Sequence, residues 1–427
     1  MSRIQLIIGS AVALILMITA LIILGPGRKA APPPNATLEF WGIEDTEDAL
    51  RPILQNFTEK NPTIKVNYKK RDSTGYEEAL INALAEGKGP DVFMLDASSI
   101  LKHRDKLAPL PQQTLNFFAK NFQAAFADIA TADLITDKNE IIGLPLFVDT
   151  LVLFYNKDIF NTAGIAVAPR TWDDVSVVSR QLTKKTVNGD ILQSGIAAGT
   201  GKNTEHAMEI LSALAMQNGD PIVKRAEREV VLEGHAYDAF LFYTSFANRQ
   251  NQNFSWTDLK GNSLDVFAQE NAAMAFGFLK DMPQILKKNP HLNLGLSPFP
   301  QPKDARTSLT YGSYFFPAVS KLSTKQAAAW QFLLYLAAQE GTKEYLDATK
   351  RIPLRRDLIA RGAQNATGEI FYRQALTARN WTIPNETVVR RLFQETIDGI
   401  VSRTIDAKQA VARLKQQINL LIPRTTK

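Results

Sequence analysis

The chain has 427 residues, 45% of them apolar and 22% charged, enough for two or three domains with a sizeable core. Its net charge is +6, and Arg3, Arg28 and Lys29 lie in or beside the amino-terminal segment, so the remainder is only mildly basic and lacks the basic runs of a nucleic-acid binder. Cysteine is absent, which excludes disulfides, thiolate metal sites, thiol nucleophiles and a lipid-bearing cysteine.

Residues 4–24 are uncharged and overwhelmingly apolar, long enough to cross ~30 Å of hydrocarbon. The run exceeds the short apolar core of a cleaved signal, and Leu-Gly-Pro-Gly-Arg after it is a poor cleavage site. Residues 1–29 are therefore expected to be a retained transmembrane signal anchor, and the proline-rich residues 30–37 an extended spacer. Basic groups flank the apolar run on both sides and leave its orientation open.

Residues 38–41 alternate as a strand, and Thr46 caps a following helix whose apolar residues recur at helical spacing. Residues 64–68 alternate as a second strand, 76–85 form a second helix, and 90–96 read as a buried third strand. This is a β-α-β-α-β run, the doubly wound pattern, in which ligands sit at the carboxyl ends of strands. The residues at those ends include Trp41, Asp45 and Asp96. Trp41 also suits a core, and Asp45 also suits the first turn of a helix.

Residues 109–135 read as helices. Gly143 and Pro145 then introduce the most apolar stretch of the folded part, 147–155, which reads as a buried strand or strand pair. Asp149 interrupts it. A carboxylate there must be paired within the structure or face a cavity. Thr171 caps the next helix with Asp173 and Asp174 in its first turn, and Trp172 reads as a structural staple. Residues 194–198 read as a strand. The following Gly-Thr-Gly-Lys-Asn-Thr lacks phosphate-loop spacing, but a helix start can still bind a polar ligand, with Asn203 and His206 as contacts. Residues 237–249 form an aromatic-rich core helix, and 309–320 a strand with Tyr311 and Tyr314 around Gly312. Residues 327–336 and 341–348 read as helices, as does most of the rest to 422, with Trp381 opening a polar segment.

Four motifs recur in order: Gly143-Leu-Pro145 with Asp149, then Tyr155-Asn-Lys-Asp-Ile-Phe160, Pro169-Arg-Thr-Trp-Asp-Asp174, and Arg351-Ile-Pro-Leu-Arg355. With Asp265 to Gly277, they resemble the extracellular solute-binding proteins of ABC importers, the group that includes the maltose-binding protein. The resemblance covers nearly all of 38–422. It implies an α/β fold of two lobes (the type II periplasmic-binding-protein-like fold), each a doubly wound sheet flanked by helices, closing on a solute by hinge motion. It implies crossings near 144–150, 292–297 and 336–344. Lobe one is then 38–147 with 295–338, and lobe two 148–294 with 339–427. It places Asp149 in the cleft and Arg351 in a turn where relatives carry a small residue. Phe278 stands near the position where relatives often carry a tryptophan that stacks on ligand.

The function so implied is a membrane-tethered extracytoplasmic receptor that delivers a small solute to ABC permease subunits, as a monomer without cofactor. Aromatics mixed with carboxylates suit a sugar or oligosaccharide. Alternatives are a tethered sensor or adhesin without a transporter, and a carbohydrate-active enzyme should Asp45, Asp96 and Asp149 converge. The four histidines are scattered without metal-ligand spacing, so neither a metal site nor an enzyme is expected.

Overall fold

Strand alternation and helix caps build the amino-terminal part as the pattern predicts. The computed structural model of the chain describes residues 35–112, 121–224, 229–232, 234–364 and 368–422. β1 (Ala36–Gly42) buries Leu38 and Phe40, and Thr46 Oγ1 accepts from Ala49 N to start the helix Glu47–Lys60. β2 (Ile64–Lys70) and β3 (Val92–Asp96) flank β1, both parallel to it. β1 begins within the expected spacer, because Ala36 and Thr37 already pair with Ile64 and Lys65. Among the described residues no helix is long and apolar enough to cross a membrane. The expected anchor and residues 30–34 of the spacer lie outside the described residues. Of the helices expected over 109–135, Asp128–Leu134 is formed, and 113–120 are likewise not described.

The apolar run divides into β4 (Phe147–Thr150) and β5 (Val152–Asn156), which enter different sheets. Further on come two small hairpins, β6 (Lys184–Lys185) with β7 (Ile191–Gln193), and β8 (Val223–Lys224) with β9 (Glu229–Val230). Then follow β10 (Met274–Gly277), β11 (Leu294–Pro298), β12 (Thr310–Ser313), β13 (Phe315–Val319), β14 (Ile352–Pro353) and β15 (Ala378–Arg379). One sheet has the order β13-β3-β1-β2 and a second β10-β5-β11. The third, β14-β4-β12-β15, joins them. Gly312 makes its tight packing possible, since a Cβ there would sit 2.8 Å from Ile129 Cδ1 and 2.9 Å from Ala378 Cβ.

Two apolar cores result. Phe40, Phe57 and Phe332 interlock edge to face in one. The other holds Trp172, Phe240, Tyr243, Trp381 and Phe393.

Several expected elements fall elsewhere. Leu294–Pro298, expected to cross into lobe one, instead pairs with β5 in the second sheet. The helix Gln339–Thr349, expected in lobe two, packs on Glu47–Lys60, with Lys60 bridging Glu340 at 3.7 Å. The chain therefore does not cross at 336–344. It passes between the two cores near β15, after which Trp381 is buried in the second core. Residues 194–198 form no strand, only a bridge from Ser194 to Ala272. Gly195 packs so closely that a Cβ would lie 1.9 Å from Ser179 O, and Ser255 Oγ occupies both the N–H and the carbonyl of Ile196.

Candidate functional site

The carboxyl end of β3 delivers Asp96 to the space between the two cores. Its Oδ1 accepts from Ser98 N at 2.7 Å, which starts the short turn Ala97–Ser99. The helix Ala207–Gln217 brings Met208 and Glu209 from the opposite side, β12 contributes Tyr311 and Ser313, and the segment after β15 contributes Asn380, Ile383 and Glu386. Together they wall a cavity of about 30 Å³, room for about one water. Ile383 N donates to Ser98 O at 2.8 Å and stitches the walls together.

The cavity is acidic. Glu209 is buried and held by Arg390, whose Nη1 and Nη2 donate to its two oxygens at 3.2 and 2.6 Å. Arg390 Nη2 also donates to Glu386 at 2.8 Å. Burial opposes the Glu209 charge, yet Arg390 outweighs it and holds its pKa below the usual range. Asp96 has no such partner. Burial, then the nearby Glu386, lifts its pKa to about 6. Tyr311 is 3% exposed, and its hydroxyl makes no hydrogen bond among the described residues.

Beside this cavity a second cluster ties the crossing strand to the turn Leu279–Asp281. Asp149 accepts from Thr150 N at 3.0 Å and Leu279 N at 2.9 Å through Oδ1, and from Lys280 N at 3.0 Å through Oδ2. Burial nevertheless lifts its pKa to about 6. His206 Nε2 and Asp281 Oδ2 are 2.8 Å apart. Burial opposes the charge on His206, but Asp281 prevails and raises its pKa, while His206 in turn depresses that of Asp281 against burial. The His206 ring meets the buried Phe278 edge to face, with centroids 4.7 Å apart.

Other expected contacts are engaged within the protein. Asp45 accepts from Arg351 at 2.9 Å and from Tyr345 at 2.7 Å, and Arg351 also binds Glu44 at 2.6 Å while lying over Phe147. Asp45 and Arg351 thus neutralise each other. Asp45, Asp96 and Asp149 do not converge: the first pairs with Arg351, the last binds backbone, and Asp96 alone lines the cavity. Trp41 is 8% exposed, and the guanidinium of Arg71 covers its ring at 3.7 Å. Asn203 donates to Thr257, Lys260 and Gly261 carbonyls and so pins a loop. Tyr314 donates to Asp133, and Trp381 is 1% exposed with its indole N–H on Ser212. Asn203 and Trp381 are scaffold, since buried polar groups take the partners nearest to them, whereas Tyr314 both bonds Asp133 and lines the cavity beside Tyr311.

Sequence reasoning missed Glu209, Arg390, Glu386 and Asn380. Glu209 did carry a signal: it is a charge inside the apolar helix sequence AMEILSALAM, the same oddity that marks Asp149. Among the described residues no group of His, Cys, Asp and Glu is arranged to hold a metal ion. A wider groove of about 400 Å³ runs along the helix Tyr76–Ala85, but all its lining residues lie between Ser73 and Lys102, so lobe closure would not form it.

A family description, bacterial extracellular solute-binding protein, matches residues 43–343. The chain is similar to the multiple sugar-binding protein of Streptococcus mutans, 21% identical over 325 residues, or 73% of this chain and 74% of that protein. It is similar to the sn-glycerol-3-phosphate-binding periplasmic protein of Escherichia coli, 21% identical over 433 residues, covering 92% and 93%. Its fold resembles the sugar-binding protein MalE of Xanthomonas citri, with a TM-score of 0.75 at 20% identity over 91% of this chain and 97% of that one.

Proposed function

Because the chain belongs to the bacterial extracellular solute-binding proteins, we propose that it is the extracytoplasmic receptor of an ABC import system, tethered by residues 1–29 and capturing a sugar or oligosaccharide between two lobes. Lobe one is carried by β1, β2, β3 and β13, and lobe two by β5, β10 and β11, with the β14-β4-β12-β15 sheet as hinge. The observation that carries this reading is the cavity itself. Its walls come from β3 on one side, the helix Ala207–Gln217 on the other, and the crossing strand β12 between them. A site divided in this way admits a sugar when the lobes part beyond the one-water gap of this structure and is completed when they close on it, so closure can report occupancy to a membrane permease. The monomer binds without cofactor, and its side chains position the solute without reacting with it.

A thermal-shift panel of sugars, peptides, polyamines and sn-glycerol 3-phosphate tests the reading, followed by X-ray scattering with each hit. A ligand at 100 times its Kd adds about 2.7 kcal/mol, a readable shift. Sugars should raise the midpoint and reduce the radius of gyration. A tight ligand that leaves the radius unchanged would refute hinge closure.

A further inference from the structure

Two groups at the cavity keep bonding capacity that the described residues do not use. Asp96 accepts from Ser98 N, yet no Lys, Arg or His pairs with it among the described residues. Tyr311 is 3% exposed, lines the cavity, and has no hydrogen-bond partner for its hydroxyl among the described residues. With the ring buried and no partner among the described residues, this hydroxyl is free to bond to whatever fills the cavity. The Tyr311 phenol lies within electrostatic reach of Glu209, Asp96 and Glu386, which join burial in holding its pKa well above the ordinary value.

The cations nearby are already engaged or stand aside. Arg390 donates to Glu209 and Glu386, and Arg351 to Glu44 and Asp45. Lys280 is exposed, with Nζ 5.4 Å over the Phe278 ring, and favours the Asp96 charge only from outside the lining, while Arg71 lies flat on Trp41; neither lines the cavity. Three carboxylates, Asp96, Glu209 and Glu386, therefore line it, with Arg390 engaged by two of them and only the exposed Lys280, outside the lining, acting on Asp96 from a distance. An anionic solute would lose its hydration shell against like charge. A solute that brings its own ammonium would give Asp96 the missing counter-charge, and its hydroxyls would serve Tyr311 and Ser313.

We propose that this cleft selects hydroxylated solutes carrying an ammonium group, of the amino-sugar class, with Asp96 as counter-charge and Tyr311 as hydroxyl partner, and rejects phosphorylated ones. The proposal rests on the receptor reading above and narrows it.

Calorimetry on the full chain at pH 7.5 tests it with five probes: glucose, glucosamine, glucose 6-phosphate, cellobiose and the chitosan dimer. Each aminated probe should bind about tenfold or more tighter than its neutral counterpart, the range of one charge-assisted hydrogen bond. Glucose 6-phosphate should give no heat. Asp96→Asn should erase the preference, so that each aminated probe binds no tighter to the variant than its neutral counterpart does. Neutral or phosphorylated probes binding as tightly as aminated ones overturn the proposal and leave the receptor reading intact. So does an Asp96→Asn variant that keeps the preference. No heat from any of the five also overturns it, and the broader panel then judges the receptor reading separately.

Discussion

Asp149 shows how one carboxylate can look like a ligand contact and serve as a joint. It interrupts the most apolar stretch of the folded part, and its two oxygens accept three backbone N–H groups, two of them from the turn Leu279–Asp281. Those bonds favour the charged form, but burial outweighs them and lifts the pKa to about 6. The folded state therefore holds its proton more tightly than the unfolded chain, where the value is about 4. Stability from this group is present at low pH and lost as the pH rises through roughly 4 to 6. Asp149→Asn removes that dependence. The variant should gain about 1–3 kcal/mol on the native chain between pH 4 and 7, read by denaturant melts at each pH. A gap that stays constant across the range would sink the assignment. Affinity at fixed pH should change little, because both oxygens of Asp149 are engaged by backbone N–H groups and Asp149 does not line the cavity.

At the scale of elements, the pair His206–Asp281 clamps the start of the helix Ala207–Gln217 to the turn Leu279–Asp281. His206 adopts a left-handed φ of 59°, a conformation that asparagine also tolerates. The raised His206 pKa lends stability that is full below about 6.5 and lost as the pH rises through the folded value. The depressed Asp281 pKa lends stability that is present above about 4 and lost as the pH falls through its folded value. The clamp is thus strongest between roughly pH 4 and 6.5. His206→Asn should lower stability by about 1–3 kcal/mol near pH 5.5 and by much less at pH 9, measured by thermal melts. An equal loss at both values would show that packing against Phe278, not charge, holds the joint. The helix so clamped also carries Glu209 into the cavity wall.

For the whole molecule, the proposed function joins tethering to closure. On the proposed reading, a receptor held at the membrane by residues 1–29 would meet its permease by diffusion in two dimensions, with the proline-rich segment as its spacer. The full-length chain expressed in a bacterial host should remain in the membrane pellet after a carbonate wash. A mature form released into the soluble fraction, with its amino terminus near Ala30, would establish cleavage instead.

Local pattern made much of the first sheet legible. Alternation in 38–41 and 64–68, the Thr46 cap and the apolar run at 92–95 each act over a few residues, and all formed as expected. The solute-binding fold was legible through ordered motifs. The cleft was not. Whether Asp45 met a solute or Arg351 depended on two residues 306 positions apart, and short-range periodicity carries no information about such pairs. The same holds for the path of the chain after β13: helix propensity forms Gln339–Thr349 in either lobe, and only its packing on Glu47–Lys60 assigns it to one. The strands and the capped helix of the first sheet were settled by the sequence alone, whereas the strand expected over 194–198 gave way to packing against Ser179 and Ser255. Which charges were neutralised inside the protein, and which were left facing a cavity, was decided only when distant segments packed together and burial forced each polar group to find a partner.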